Sequence, residues 1–270
     1  MSAGASAARP PLTARPGAWL DPATKLFSGA ACLVILAMLA VILGTVIAGG
    51  AGTITWDFLT KPPTKGMTEG GIFPAIFGTA SLTLLMTVVA VPAGVITAVY
   101  LTEYAPPRSK VARLVRVCIA NLAGVPSIVF GLFGLGFFVA TVGRAMDQAA
   151  FGGQPTYGKP SLIWASLTLA VLTLPVVVVA TEEALRAVPR ELRDASLAVG
   201  ATKFQTIVKV ILPEALGGIL TGSILAVSRG AGEVAPILFT GAAYFLPYLP
   251  THLNDPFMNL GYHVNVLATQ

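Results

Sequence analysis

Two ionisable residues lie inside an apolar stretch in the last quarter of the chain. Arg229 and Glu233 are four positions apart, with Gly230 and Gly232 between them. A charge near the centre of a bilayer costs about 2.5 kcal/mol or more, so such residues usually serve a function. On a helix this spacing allows an ion pair on one face. Because a guanidinium binds oxyanions bidentately, the pattern predicts an anion pathway; the alternative is a buried ion pair that only fixes helix register.

Two uncharged polar residues lie in another apolar segment. Ser127 follows Pro126, and Asn121 lies one to two helical turns earlier. Both could donate hydrogen bonds to a passing anion, and we include them as candidate pathway residues. The alternative is that they satisfy the backbone of a kinked helix.

Motifs of common enzyme chemistry are absent from the sequence. There is no GxxxxGK[ST] phosphate loop, no HExxH and no Cys/His cluster with metal-ligand spacing. We therefore expect no catalytic residues, no cofactor and no metal site. Any use of ATP would require a partner that hydrolyses it.

The elements that position these residues are membrane helices. Only 11% of the residues are charged, against about 25% in soluble domains. The apolar residues form blocks long enough to cross a bilayer. Five spans are predicted: Leu26–Ala48, about Ile72–Leu101, about Val115–Val142, about Leu162–Ala180 and about Ala215–Phe239.

Lysine and arginine are distributed unequally between the loops. The N-terminal tail and the loops after the second and fourth spans hold twelve of them, and the opposite loops hold four. The positive-inside rule therefore places the N-terminus and both basic loops in the cytoplasm. Membrane topology therefore explains the net charge of +5, and we expect no nucleic acid as a partner. Residues 1–25 are expected to be a flexible cytoplasmic tail, and residues 26–48 the first span.

The loop from Glu182 to Pro213 is too polar to span and is patterned like helices. Pro189 suits a first helical turn, and Gly200 suits a helix end. Between them a small, mildly apolar face is formed by Leu192, Ala195, Ser196 and Val199. A second short helix is predicted from Thr202 to Ile211, stopped before Pro213. The first helix suits a groove in another protein or a position on the membrane surface.

This loop resembles the EAA loop of ABC importer permeases, E-A-A-x3-G-x9-I-x-L-P. The matching positions are Asp194, Ala195, Ser196, Gly200, Val210, Leu212 and Pro213. Asp, Ser and Val replace the usual Glu, second Ala and Ile. In that family the loop is the coupling helix that docks into the ATPase subunit. The resemblance therefore implies that the ATPase contacts are Arg190, Arg193, Asp194, Ala195, Ser196, Gly200, Ala201 and Phe204.

Further segments resemble the PstA-like phosphate permeases. They are GGIFPAIFGTASLTLL (Gly70–Leu85), AGVPSIVFGLFGL (Ala123–Leu135), TEEALRAVPRELRDASLAVGATK (Thr181–Lys203), RGAGEVAPILFTGA (Arg229–Ala242) and HVNVLATQ (His263–Gln270). The resemblance implies an all-α, polytopic membrane helix bundle, the transmembrane domain of a type I ABC importer, with its core at residues 72–270. That family also carries the Arg-x3-Glu of Arg229 and Glu233 in its translocation region.

The resemblance implies a function and a set of partners. The chain would be a non-hydrolytic permease subunit in a bacterial plasma membrane, importing phosphate by alternating access. Its partners would be two copies of an ATPase, a second homologous permease and an extracytoplasmic phosphate-binding protein. The family has six spans, whereas this sequence shows five, and we expect that the chain is truncated before the sixth.

Three alternatives remain open from the sequence. The same fold could carry another oxyanion, such as sulfate or molybdate. An ATP-independent secondary transporter or channel would usually show internal repeats and several intramembrane acids, and neither is clear. A membrane anchor or assembly scaffold without transport is disfavoured by Arg229 and Glu233.

Overall fold

A computed structural model describes residues 20–67, 69–106 and 108–269. The described residues form two compact units, one up to Trp56 and one from Asp57 onward. The helices are α1 (Leu20–Gly50), α2 (Trp56–Thr60), α3 (Phe73–Tyr104), α4 (Lys110–Ala123), α5 (Ser127–Ala150), α6 (Leu162–Ala187), α7 (Arg190–Ala198), α8 (Lys203–Ala231), α9 (Ile237–Thr240) and α10 (Leu260–Thr269). Two short antiparallel strands, β1 (Pro63–Thr64) and β2 (Glu69–Gly70), precede α3.

Five of these helices are long and apolar enough to cross a membrane. They are α1, α3, α5, α6 and α8, so the predicted helical membrane protein with five spans is confirmed. The predicted tail over residues 1–25 lies mostly outside the described residues, and α1 begins at Leu20. With 31 residues, α1 is roughly 46 Å long, enough for the hydrocarbon core.

The second unit is built around α6, the most buried of the five spanning helices. Small residues let α3 and α8 approach it closely, as is usual between membrane helices. A Cβ placed on Gly94 of α3 would lie 2.6 Å from Cγ1 of Val177 on α6. On α8, a Cβ on Gly222 would lie 2.3 Å from Cβ of Ala180. Larger side chains at these positions would separate the helices.

The N-terminal end of α6 is completed by a distant part of the chain. The N–H groups of Leu162 and Ile163 donate to the carbonyls of Asp255 and Leu253, both at 2.9 Å. Ser161 N–H donates to Thr240 O at 2.8 Å. These bonds satisfy donors that have no partner within a helix. Phe257, fully buried after this loop, belongs to the core formed by α3 and α6.

The third span departs from the prediction of one helix over Val115–Val142. The chain instead forms α4, a break at residues 124–126, and α5. Pro126 has no N–H and disfavours helical angles at the preceding residue. Gly124 and Val125 make tight turns by donating to the carbonyls of Asn121 and Leu122. The crossing helix therefore starts at Ser127, twelve residues later than predicted.

The fifth span also departs from the prediction, at both ends. The helix expected to stop before Pro213 continues through it, so α8 runs unbroken from Lys203 to Ala231. A π-helical turn at Ile207–Ile211 precedes the proline, and such a shift in hydrogen bonding accommodates the missing donor. At the other end the span stops at Ala231, whereas Phe239 was predicted; Phe239 lies in the separate helix α9.

Candidate functional site

A cavity of about 240 Å³ opens where the third span is broken. Three of the four predicted pathway residues line it: Ser127, Arg229 and Glu233. We call these three residues the cavity cluster. The remaining walls are Leu122, Ala123, Val125, Pro126, Phe130, Leu172, Pro175 and Val176. Most of the lining residues are therefore apolar, and a few polar groups converge among them, as is usual for a small-ligand site.

Arg229 and Glu233 do not lie on one helix face, so the predicted i, i+4 ion pair is wrong. Helix α8 ends at Ala231, and the N–H groups of Gly232 and Glu233 turn back to the carbonyls of Arg229 and Gly230. Two glycines so close together favour such an ending. Among the described residues, neither side chain forms an ion pair with any other. Arg229 lines the cavity from the last turn of α8, and Glu233 lines it from the turn that follows the helix.

Ser127 is the first residue of α5, immediately after the break. The first N–H groups of a helix have no intrahelical partner, and they carry the positive end of the helix dipole. Since Ser127 and Phe130 both line the cavity, the first turn of α5 borders it. A guanidinium and a helix N-terminus beside one cavity make that cavity suited to an anion.

Asn121 is not part of this cavity. It was predicted to share a helix with Ser127, but it is exposed on α4, on the other side of the break. Its neighbours Leu122 and Ala123 line the cavity, whereas Asn121 does not. The ligand role predicted for Asn121 has no support in this geometry.

The loop between α6 and α8 contains the predicted short helix. Helix α7 covers Arg190–Ala198, and Gly200 has φ +87°, as expected for a helix-ending glycine. Thr202 then starts α8 with a capping box, in which its hydroxyl accepts from Gln205 N–H and Gln205 Oε1 accepts from Thr202 N–H. The boundaries predicted around Gly200 are confirmed.

The outer side of this loop presents apolar groups to solvent. Val199 and Phe204 are 84% and 66% exposed, and Arg190, Asp194, Ala195 and Gly200 are exposed as well. We call these six residues the loop face. The loop face therefore combines two exposed apolar side chains with one basic and one acidic residue.

Three residues expected on that face are partly buried. Arg193 contacts Glu103 Oε1 of α3 at 3.1 Å and donates to Leu185 O at 2.6 Å. Ser196 is hydrogen-bonded to Thr206 on α8, with 2.9 Å between their oxygens. Ala201 is half-buried. Arg193 and Ser196 therefore hold the loop in place.

Glu182, near the end of α6, is a buried carboxylate. Its side chain is 9% exposed and lies 3.2 Å from Arg116 Nε and 2.6 Å from Arg186 Nη2. Arg116, on α4, also donates to Leu101 O of α3 at 2.6 Å. We call Glu103, Arg116, Glu182, Arg186 and Arg193 the charged junction. Sequence reasoning missed it, although an acidic residue just beyond the end of each of two predicted spans was a usable signal.

Comparisons with known proteins give consistent results. The family model described as the binding-protein-dependent transport system inner membrane component matches residues 90–259. The probable ABC transporter permease protein YqgI of Bacillus subtilis is 35% identical over 218 residues, covering 81% of this chain and 69% of that protein. The phosphate transport system permease protein PstA 1 of Mycobacterium tuberculosis (strain H37Rv) is 39% identical over 232 residues, covering 84% and 70%.

Two further matches extend the comparison. The phosphate transport system permease protein PstA of Haemophilus influenzae is 32% identical over 246 residues, covering 90% of this chain and 80% of that protein. An inward-facing structure of the MetNI methionine ABC transporter aligns with a TM-score of 0.49 at 25% identity, covering 58% of this chain and 68% of that chain.

Proposed function

This chain belongs to the family of binding-protein-dependent transport system inner membrane components, and from that premise we propose that it is the permease subunit of an ATP-driven importer of inorganic phosphate. The single observation that carries the proposal is the cavity cluster, where Arg229 lies without an ion-pair partner among the described residues. Relatives of this chain are named phosphate transport permeases, which supports phosphate as the cargo.

Arg229 is the group that binds the anion in this proposal. Phosphate carries one or two negative charges at neutral pH, and a guanidinium pairs with two of its oxygens. Ser127 adds a hydroxyl donor, and the first turn of α5 adds the positive end of a helix dipole. Glu233 in the same cavity would repel a bound anion and so limit its residence, which transport requires. Asn121 is left without a proposed role.

The energy source lies outside this chain. The sequence has no phosphate loop for ATP, so a separate ATPase subunit, in two copies, would hydrolyse it. The loop face would dock into that subunit through Val199 and Phe204, flanked by Arg190 and Asp194. Arg193, Ser196 and Ala201 would support the docking surface from within. Movement of the ATPase would then alternate access to the cavity.

Orientation and assembly follow from the same proposal. The excess of basic residues in the N-terminal tail and in the loops around α4 and α7 supports a cytoplasmic N-terminus. Residues 72–270 would form the permease core, completed by a second homologous permease. An extracytoplasmic binding protein would deliver phosphate on the opposite side of the bacterial inner membrane.

Proteoliposomes containing the complete complex test this proposal directly. The complex is isolated through a tag on this chain, reconstituted with its binding protein, and supplied with ATP inside. We expect an ATPase subunit to co-purify and labelled phosphate to accumulate only with ATP. Uptake of sulfate or molybdate in place of phosphate would show that the cargo is a different oxyanion. Uptake without ATP, or no co-purifying ATPase, would overturn the importer proposal.

A further inference from the structure

The loop between α6 and α8, which contains α7, is called the α7 loop here. We propose that the last turn of α3, Tyr100–Tyr104, receives the movement of the α7 loop through the Glu103–Arg193 ion pair and passes it to the membrane helices. This proposal rests on the importer function above. It assigns a positioning role to Glu103, which the sequence did not single out.

One residue of the α7 loop and the residue that begins α8 contact neighbouring residues of this turn. Arg193, on α7, pairs with Glu103 at 3.1 Å. Lys203, at the start of α8, places its ammonium 5.2 Å from the centroid of the Tyr104 ring, within the range of a cation–π interaction. A displacement of the loop therefore acts on α3 at two adjacent positions.

The Glu103–Arg193 pair is well placed to transmit such a displacement. The side chains are 11% and 21% exposed, so water screens their attraction much less than at an open surface. Arg193 also donates to Leu185 O near the end of α6. One guanidinium thus connects the loop to two of the spanning helices, and α3 and α6 pack closely through Gly94 and Val177.

The turn itself is suited to a change of shape. It is π-helical, with Ala105 N–H donating to Tyr100 O, and single π turns within α-helices are frequent at functional sites. Two buried polar atoms here, Thr102 Oγ1 and Arg193 Nε, have no hydrogen-bond partner among the described residues. A buried polar atom without a hydrogen bond is unfavourable. A second conformation of this turn in which both atoms are hydrogen-bonded would remove that cost.

The test measures whether ATP binding changes access to the cavity. A reporter cysteine is introduced by Ala123→Cys, at a cavity-lining position, in a complex carrying Cys32→Ser and Cys118→Ser. Its labelling by a membrane-impermeant maleimide is followed with and without a non-hydrolysable ATP analogue. With no further change, we expect the analogue to alter the labelling rate at least about fivefold, the lower range of allosteric coupling.

Glu103→Gln should reduce that response to less than about twofold while the ATPase subunit still co-purifies. Charge reversal of both partners, Glu103→Arg with Arg193→Glu, should restore it at least partly, which a purely local packing defect would not. Lys203→Gln should weaken the response by a smaller factor. The matched control is Glu69→Gln, which removes an exposed carboxylate paired with Lys65 and should leave the response intact.

Three results would overturn the proposal: an unchanged response in Glu103→Gln, an equal loss in Glu69→Gln, or no response to the analogue in the parent complex. If Glu103→Gln fails to assemble, Lys203→Gln and the charge reversal decide the outcome. Phosphate uptake is measured separately. Transport of another anion would contradict phosphate as the cargo but would not contradict the proposed role of Glu103.

Discussion

Charged side chains at the charged junction and in the cavity cluster have opposite surroundings. At the junction Glu182 contacts two arginines and Glu103 contacts a third. In the cavity Arg229 and Glu233 lie within one pocket without an ion pair to any described residue. Pairing at the junction ties α3, α4, α6 and α7 together. The guanidinium in the cavity has no such partner among the described residues, so the comparison distinguishes paired charges that stabilise the fold from unpaired charges that we propose bind the cargo.

The largest expected effect is that of Arg229→Gln. Loss of a charged contact to a desolvated anion costs about 3 kcal/mol, or about a hundredfold in uptake. Phosphate uptake by proteoliposomes should fall accordingly, while complex yield and ATP hydrolysis stay near normal. Arg113→Gln, at an exposed arginine of α4, is the control and should transport normally. Normal uptake by Arg229→Gln would contradict the proposal that the unpaired charge in the cavity binds the cargo.

Glu182→Gln should show the reverse pattern, a loss of stability. Removing the carboxylate leaves Arg116 and Arg186 without their shared partner. Because Arg116 is 41% exposed, we expect about 1–3 kcal/mol, less than for a fully buried pair. Denaturant unfolding in detergent measures the change. Asp57→Asn, in an exposed pair with Lys61, should cost less than about 0.5 kcal/mol, and equal losses in the two variants would contradict the assignment of Glu182.

Ser127→Ala should have a moderate effect on transport. One neutral hydrogen bond contributes about 0.5–1.5 kcal/mol, so the phosphate concentration for half-maximal uptake should rise about two- to tenfold. The maximal rate should change little. Ser228→Ala is the matched control, at an exposed α8 residue outside the cavity lining. An identical result for both serines would remove Ser127 from the binding site.

Asp255 adds a third kind of charge to the comparison, a carboxylate held mainly by backbone groups. The N–H groups of His252 and Thr251 donate to it, at 2.9 and 3.0 Å. These bonds, His252 first, outweigh desolvation and lower the pKa of Asp255. A lowered pKa stabilises the fold above the unfolded value of about 4, and this stability is lost as the pH falls through the folded pKa.

Asp255→Asn should therefore lower the melting temperature at pH 7 by about 2–4 °C, for a loss of about 1 kcal/mol. Below pH 4 the difference from the parent chain should shrink. Thermal unfolding in detergent at both pH values makes the measurement, with Asp57→Asn as the control for loss of an exposed aspartate. A difference that grows on acidification would contradict the direction of the pKa shift.

Local sequence signals were sufficient for the spans and for the α7 loop. Apolar runs located five crossing helices, and Pro189 and Gly200 gave the limits of α7 because the required backbone angles are properties of those residues. Ser127, Arg229 and Glu233, which were predicted from the sequence as pathway residues, line one cavity. In each case the information lies within a few residues of the feature.

The errors arose where backbone breaks or distant partners decide the geometry. Arg229 and Glu233 were expected on one face of a continuous helix, whereas the helix ends at Ala231, before Glu233. The break at Pro126 moved Asn121 onto a separate helix. The pairing of Glu103 with Arg193 joins residues ninety positions apart, and no local pattern specifies which arginine a buried carboxylate selects.

The hydrogen bonds at the start of α6 have a consequence for biosynthesis. The N–H groups of Leu162 and Ile163 donate to the carbonyls of Asp255 and Leu253, which the ribosome adds about ninety residues later. At about 5–20 residues per second, this interval lasts roughly 5–20 s. During that time α6 is already made, yet its first turn lacks its final acceptors, so the most buried helix of the bundle is also one of the last to be completed.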